Sequence, residues 1–213
     1  MQLQLALDML SLPASLRLLE QVEGDIDIVE VGTPFIIRQG VRAVTEIKNV
    51  FPKLTVLADL KIVDAGEEES RIGVEAGADI VTVLAAADDE TIRGAVRGAD
   101  GGRVMVDMIG IEELERRARE VDALGVDYIC VHTAHDRADV STGPLSDLKR
   151  VQRVVPSARV AVAGGVGLDN IERIVAAAPD IIVVGGGITA ASDPARTAKE
   201  IKERMRISDE RRS

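Results

Sequence analysis

Aromatic side chains are nearly missing from this chain, which has two Phe, one Tyr and no Trp. Too few rings remain to build a surface on which nucleic-acid bases could stack. The single cysteine, Cys130, excludes an intrachain disulfide framework and any cysteine-rich metal centre. Positive charge is in the minority, with 26 Lys+Arg against 36 Asp+Glu and a net charge of −10. That sign argues against non-specific attachment to nucleic acid or to an anionic membrane. No apolar run approaches the ~18 residues of a membrane span, and Met1 leads straight into a strand pattern rather than a signal peptide. The expectation is a cytoplasmic protein with neither nucleic acid nor membrane as partner.

What is present reads as one large soluble domain. The 213 residues are 46% hydrophobic and 29% charged, and a chain of this size can bury roughly 70% of its unfolded surface. Short Val/Ile/Leu-rich runs recur along it: Leu3–Leu7, Ile26–Val31, Leu54–Leu57, Ile80–Leu84, Val104–Val106, Tyr128–Val131, Val160–Val162 and Ile181–Val184. Their lack of polar alternation suits strands buried on both faces of a parallel sheet. Between them lie helical patterns such as Leu16–Leu19–Val22, with apolar positions three and four apart. Eight strands in about 200 residues predict an α/β fold, a single (β/α)₈ barrel of the TIM type. A doubly wound open sheet is the runner-up, since strand count alone does not prove closure.

An internal repeat favours closure. Asp27, Asp79, Asp127 and Asp180 each stand between a helix-stop element and an even-numbered strand, at spacings of about two βα units. Three odd strands end instead on a carboxylate: Asp8, Asp59 and Asp107. Alternate strands that resemble one another are what the layered interior of a barrel imposes. The four repeated aspartates are read as turn residues at the bottom of the barrel. The domain is taken as 1–207. Residues 208–213 have no apolar member and are expected to be a frayed tail.

Chemistry in such a barrel gathers where strands end and βα loops begin. Those positions hold Asp8, Glu30, Asp59, Lys61, Asp64, Asp107 and His132. Charges facing a barrel mouth are costly unless they pair, bind metal or engage substrate. In Asp59-Leu-Lys-Ile-Val-Asp64 the first two charges share one strand face, and a lysine flanked by carboxylates suits the stabilisation of a developing anion. A salt bridge closing the strand end would be the reading of an isolated Asp-x-Lys; the strand-end setting and the other carboxylates weigh against it here. Glu30 and Asp59, on neighbouring strands with no soft ligand nearby, make a hard oxygen site fit for Mg²⁺, with Mn²⁺ as a substitute. Glu30 could equally be half of a buried ion pair. His132 can exchange protons near neutral pH, whereas His135 is either an exposed loop residue or an aid to substrate orientation. Cys130 is read as a packed core thiol. After strands seven and eight come Ala163-Gly-Gly-Val-Gly167 and Val184-Gly-Gly-Gly-Ile-Thr189. Barrels often grip phosphate at this pair of loops through backbone N–H groups, here those of Gly164, Gly165, Gly186 and Gly187.

Taken together these residues resemble the orotidine-5′-phosphate decarboxylase superfamily, from Gln2 through about Met205. The likeness is carried by Leu3-Gln-Leu-Ala-Leu-Asp8, Val29-Glu-Val-Gly-Thr-Pro34, Val56-Leu-Ala-Asp-Leu-Lys61, Asp64-Ala-Gly66, Val106-Asp-Met-Ile109, Asp122 through Thr133, and Val183 through Thr189. The resemblance implies a Mg²⁺-dependent, reversible aldol condensation of formaldehyde with D-ribulose 5-phosphate. It further implies His132 as the base at C1, Lys61 as the stabiliser of an enediolate, and a catalytic set completed by Asp59 and Asp64. Asp8, Asp107 and His135 would contact substrate. The superfamily is dimeric, and by resemblance Asp64 would cross into the partner's site. A decarboxylating relative carries Arg where this chain has His135, and Gly-Arg-Gly where it has Gly185-Gly-Gly187. Both departures point away from decarboxylation, which stays open as an alternative together with a non-catalytic sugar-phosphate-binding barrel.

Overall fold

The computed structural model describes residues 1–134 and 143–210. Eight strands, β1 (Gln2–Leu7), β2 (Ile28–Val31), β3 (Thr55–Ile62), β4 (Ile80–Leu84), β5 (Arg103–Asp107), β6 (Tyr128–His132), β7 (Arg159–Ala163) and β8 (Ile181–Val184), pair in chain order. All pairs are parallel, and β8 returns to pair with β1. The sheet is therefore a closed barrel and not an open one. Helices α1 (Leu12–Val22), α2 (Thr33–Gln39), α3 (Arg42–Val50), α4 (Gly66–Glu75), α5 (Asp89–Gly98), α6 (Leu114–Asp122), α7 (Gly143–Gln152), α8 (Ile171–Ala176), α9 (Gly186–Thr189) and α10 (Pro194–Glu210) fill the connections.

Period-two alternation sorts each strand into two faces. Leu3, Leu5, Val29, Val56, Val81, Val104, Ile129, Val160 and Ile182 point outward into the layer shared with the helices. Ala6, Ile28, Leu57, Ile80, Met105, Tyr128, Cys130, Ala161 and Ile181 fill the barrel interior. Cys130 is a buried core thiol, as its setting predicts, and burial pushes its pKa well up. Two residues beyond six of these nine interior positions comes a polar one: Asp8 after Ala6, Glu30 after Ile28, Asp59 after Leu57, Thr82 after Ile80, Asp107 after Met105 and His132 after Cys130. The site is thus the next inward layer of the barrel, set by strand parity.

The repeated aspartates close the opposite end. The carboxylates of Asp27, Asp79, Asp127 and Asp180 accept the backbone N–H groups of Leu3, Val56, Val104 and Val160 at 2.7–2.8 Å. Each therefore staples an even strand to the odd strand before it. Lys202 and Lys48 add ion pairs to Asp27 and Asp79. Beside this ring Tyr128 is fully buried, with Arg103 hydrogen-bonded to its hydroxyl at 2.8 Å and the Arg159 guanidinium 4.4 Å from the ring centroid.

Two boundaries differ from expectation. Strand β3 continues to Ile62, because Asp59 and Lys61, although charged, stay in the strand and serve the interior face. Helix α10 runs on through 208–210, the first part of the expected tail, while 211–213 lie outside the described residues. An ion pair between the Met1 ammonium and Asp209 at 3.1 Å ties this last turn to the start of the chain.

Candidate active site

The mouth of the barrel carries a continuous run of charge-assisted hydrogen bonds. Lys61 Nζ lies 3.0 and 2.8 Å from the two Asp59 carboxylate oxygens and 3.1 Å from Asp107 Oδ2. The same Asp107 oxygen is 2.9 Å from His132 Nδ1, and the Ile109 N–H donates to Asp107 Oδ1 at 2.9 Å. The Asp59 and Asp107 side chains are 7% and 5% exposed, against 25% and 24% for Lys61 and His132. The carboxylates form the floor, and the ammonium and imidazole reach the opening.

Each protonation state has a physical cause. Burial disfavours the Lys61 charge, but the two carboxylates beside it outweigh burial and hold its pKa above the ordinary lysine value. Burial likewise pushes Asp107 up, yet its bonds from His132, Lys61 and Ile109 N–H leave it below the usual carboxylate range. With Asp107 ionised, His132 donates through Nδ1–H, so the basic lone pair falls on Nε2. The lysine is thus flanked by Asp59 and Asp107, not by Asp59 and Asp64 as the sequence pattern suggests. Asp64 is exposed and accepts from its neighbour, the Ala65 N–H, at 2.7 Å. It is not brought into this site.

Glu30 stands beside the run. Its pKa is pushed up to about 8 by burial, by the Asp59 carboxylate and by Asp8, against the Gln4 amide, which donates to Glu30 Oε2 at 2.6 Å. Gln4 Oε1 is buried without a hydrogen-bond partner. A buried carboxyl group beside a second carboxylate, next to an orphaned carbonyl oxygen, is a donor set that a hard divalent cation fits. No group of three or more His, Cys, Asp or Glu able to hold a metal occurs among the described residues. The protein's own share of such a site would be Glu30 and Asp59.

The two glycine loops meet behind Asp8. A Cβ on Gly185 would sit 3.6 Å from Asp8 Oδ2, and one on Gly187 would press on the Val166 carbonyl and lie 3.2 Å from Gly167 Cα. Gly164 has φ +96° and could not carry a side chain without striking the Thr133 carbonyl. Gly165, with φ 65°, accepts from Asn170 Nδ2 through its carbonyl at 2.7 Å. Gly186, by contrast, faces open space. In α9 the N–H groups of Ile188 and Thr189 both turn back to the Gly185 carbonyl at 3.0 Å. His135 lies outside the described residues. Three contributors were not picked out from sequence: Gln4, Thr33, whose hydroxyl donates to Asp59 Oδ2 at 2.7 Å, and Thr82, whose hydroxyl donates to Asp59 Oδ1 at 2.7 Å. Strand parity alone would have found Gln4 and Thr82, two residues before Ala6 and two after Ile80.

Fold and site together define a (β/α)₈-barrel protein with paired carboxylates, a held ammonium and an oriented imidazole at the C-terminal ends of its strands. A family model described as orotidine 5′-phosphate decarboxylase / HUMPS matches residues 1–201. The chain belongs to that family. It is 50% identical over 205 residues to a 3-hexulose-6-phosphate synthase of Bacillus subtilis, covering 95% of this chain and 98% of that one. Its fold superposes with a TM-score of 0.94 on the crystal structure of 3-hexulose-6-phosphate synthase from Salmonella typhimurium, at 42% identity and over 98% and 100% of the two chains. It also superposes on the crystal structure of KGPDC from Streptococcus mutans, with a TM-score of 0.84 and 25% identity over 97% of each chain.

Proposed function

We propose that this protein is an aldehyde-lyase that joins formaldehyde to D-ribulose 5-phosphate, reversibly, to give 3-hexulose 6-phosphate. The observation that carries the chemistry is the hydrogen-bonded run Asp59–Lys61–Asp107–His132 in the barrel mouth. The relatives' names supply the substrate pair.

Loss of a C1 proton from ribulose 5-phosphate gives a 1,2-enediolate; its C1 attacks the formaldehyde carbon, the C=O π bond opens, and the resulting alkoxide takes a proton back to become the new hydroxyl. His132 Nε2 takes that proton, and Asp107 holds the tautomer that makes Nε2 the base. Lys61 stays protonated between its two carboxylates and stabilises the enediolate oxygen. Mg²⁺ held by Glu30 and Asp59 would polarise the C2 carbonyl and acidify C1 when bound. Asp59 accepts from Thr33, Lys61 and Thr82, and Asp107 holds Lys61 from the other side. Formaldehyde offers almost no binding surface, so orientation rests on the sugar phosphate. The amides of Gly164, Gly165, Gly186 and Gly187 grip its phosphate, while Asp8 and Asp107 meet its hydroxyls.

The working assembly in this reading is a cytoplasmic homodimer in which Asp64 reaches the partner's site. In support, Asp64 is exposed next to the exposed apolar Val63, and Ile72 on the following helix α4 is exposed as well.

The test is consumption of formaldehyde with ribulose 5-phosphate, with and without Mg²⁺, beside exchange of the C1 hydrogen with deuterated water when formaldehyde is omitted. The His132→Asn variant should lose about 10²–10⁴-fold in exchange, the range typical of a general base, yet still bind substrate. Release of CO₂ from a 3-keto sugar-acid phosphate instead would place the chain with the decarboxylases. Substrate binding with no C1 exchange in the wild type would leave only a sugar-phosphate-binding barrel.

A further inference from the structure

We infer that Thr82 is a positioning residue, which sets Lys61 in its working place by stitching the two ends of a bulge in β3. The inference rests on the function proposed above for its kinetic consequence, though not for its structural one. In the β3–β4 ladder Ala58 pairs with Val81 and Ile62 with Val83, and the register shifts between them. Asp59, Leu60 and Lys61 therefore stand opposite a single residue, Thr82. A bulge leaves backbone groups without ladder partners and re-aims side chains, which is why bulges gather at active sites.

The Thr82 side chain supplies what the ladder loses. Its hydroxyl accepts the Lys61 backbone N–H at 3.0 Å and donates to Asp59 Oδ1 at 2.7 Å. One hydroxyl has one donor and two acceptor sites, so a single group can serve both ends of the bulge. Lys61 itself lies at φ 48°, in the left-handed region that a residue with a Cβ enters at a cost. In a regular strand Asp59 and Lys61 would both stand perpendicular to the sheet. The bulge instead folds the lysine back, so that Nζ touches Asp59 and Asp107 together. Thr82 is only 4% exposed and faces the interior, so solvent cannot easily replace its hydroxyl. Thr82 touches no reacting atom; it acts through Lys61 and Asp59.

The experiment compares Thr82→Val, which keeps the β-branched shape and removes the hydroxyl, with Thr82→Ser, which keeps the hydroxyl. In Thr82→Val, kcat at saturating Mg²⁺ should fall about 10²-fold, the scale of a displacement of about 1 Å in a catalytic group. KM for ribulose 5-phosphate should stay nearly unchanged, because the proposed phosphate grip lies in the loops that follow β7 and β8. Thr82→Ser should restore most of kcat. Independently of any turnover, the Lys61 amide should be protected from hydrogen exchange in the wild type and in Thr82→Ser, and lose that protection in Thr82→Val. If Thr82→Val does not fold, Thr82→Cys, of similar size with only a weak S–H donor, takes its place. Unchanged Lys61 protection in the hydroxyl-free variant would overturn the inference, as would a rate loss that Thr82→Ser does not repair or one confined to KM. A wild type that exchanges no C1 proton would defeat the proposed reaction, while the amide measurement would still decide the role of Thr82.

Discussion

Replacing Glu30 with Gln should change how stability depends on pH, and the sign follows from the site. The Glu30 carboxyl has its pKa pushed from the ordinary 4.5 up to about 8, chiefly by burial and the Asp59 charge. In the unfolded chain it ionises near its ordinary value. Between those limits the fold holds a proton that the unfolded chain has released, so its stabilising effect is complete below about pH 4.5 and is lost as pH rises toward 8. Each pH unit of that window is worth about 1.4 kcal/mol, which sets a ceiling of about 5 kcal/mol across it. Asp107, with its pKa lowered from 3.8, acts below this window and does not disturb the reading. Urea unfolding in EDTA at pH 5, 6, 7 and 8 is the assay. The wild type should weaken steadily, and Glu30→Gln should lose this component and be the more stable protein at pH 8. Adding Mg²⁺ at pH 8 should restore the wild type, by about 2.7 kcal/mol at a hundred times the dissociation constant, and leave Glu30→Gln unmoved. A wild-type stability that is flat or rising from pH 5 to 8 would refute the electrostatic account. Equal Mg²⁺ stabilisation of both proteins would refute the metal assignment alone.

Gly186→Leu should raise KM for ribulose 5-phosphate far more than that for formaldehyde, because its side chain enters open space in the proposed phosphate loop without disturbing the fold. Steady-state kinetics with each substrate varied in turn checks this, and equal increases would move the phosphate elsewhere. Asp127→Ala should cost roughly 1.5–3 kcal/mol, the value of a hydrogen bond to a charged acceptor, by orphaning the Val104 N–H. Its kcat and KM should stay unchanged, since it lies at the opposite end of the barrel. Denaturant titration beside an activity assay separates the two effects.

The barrel was legible because its determinants are periodic. Strand runs and helix stops recur, and the even-strand aspartates repeat because each accepts one N–H from the strand before it. Most of the site was legible for the same reason. Glu30, Asp59, Asp107 and His132 set polar side chains into apolar strands, and only an inward layer at the barrel mouth makes that tolerable. What could not be read is how those groups pair. Asp-x-Lys-x-x-Asp places Lys61 between Asp59 and Asp64 along the chain, but its second partner in space is Asp107, 46 residues away. That exchange depends on the bulge in β3, and no local pattern announces a bulge in a run without glycine. Its determinant lies across the ladder in Thr82, a residue that in sequence is one more β-branched member of an apolar strand. Propensity accounts for Thr82 well enough that only its parity with Ile80 marks it. Its hydroxyl acquires a purpose only once the neighbouring strand loses register beside it. The chemistry of this mouth therefore rests on a pairing between two strands, one charged in plain view and the other almost silent.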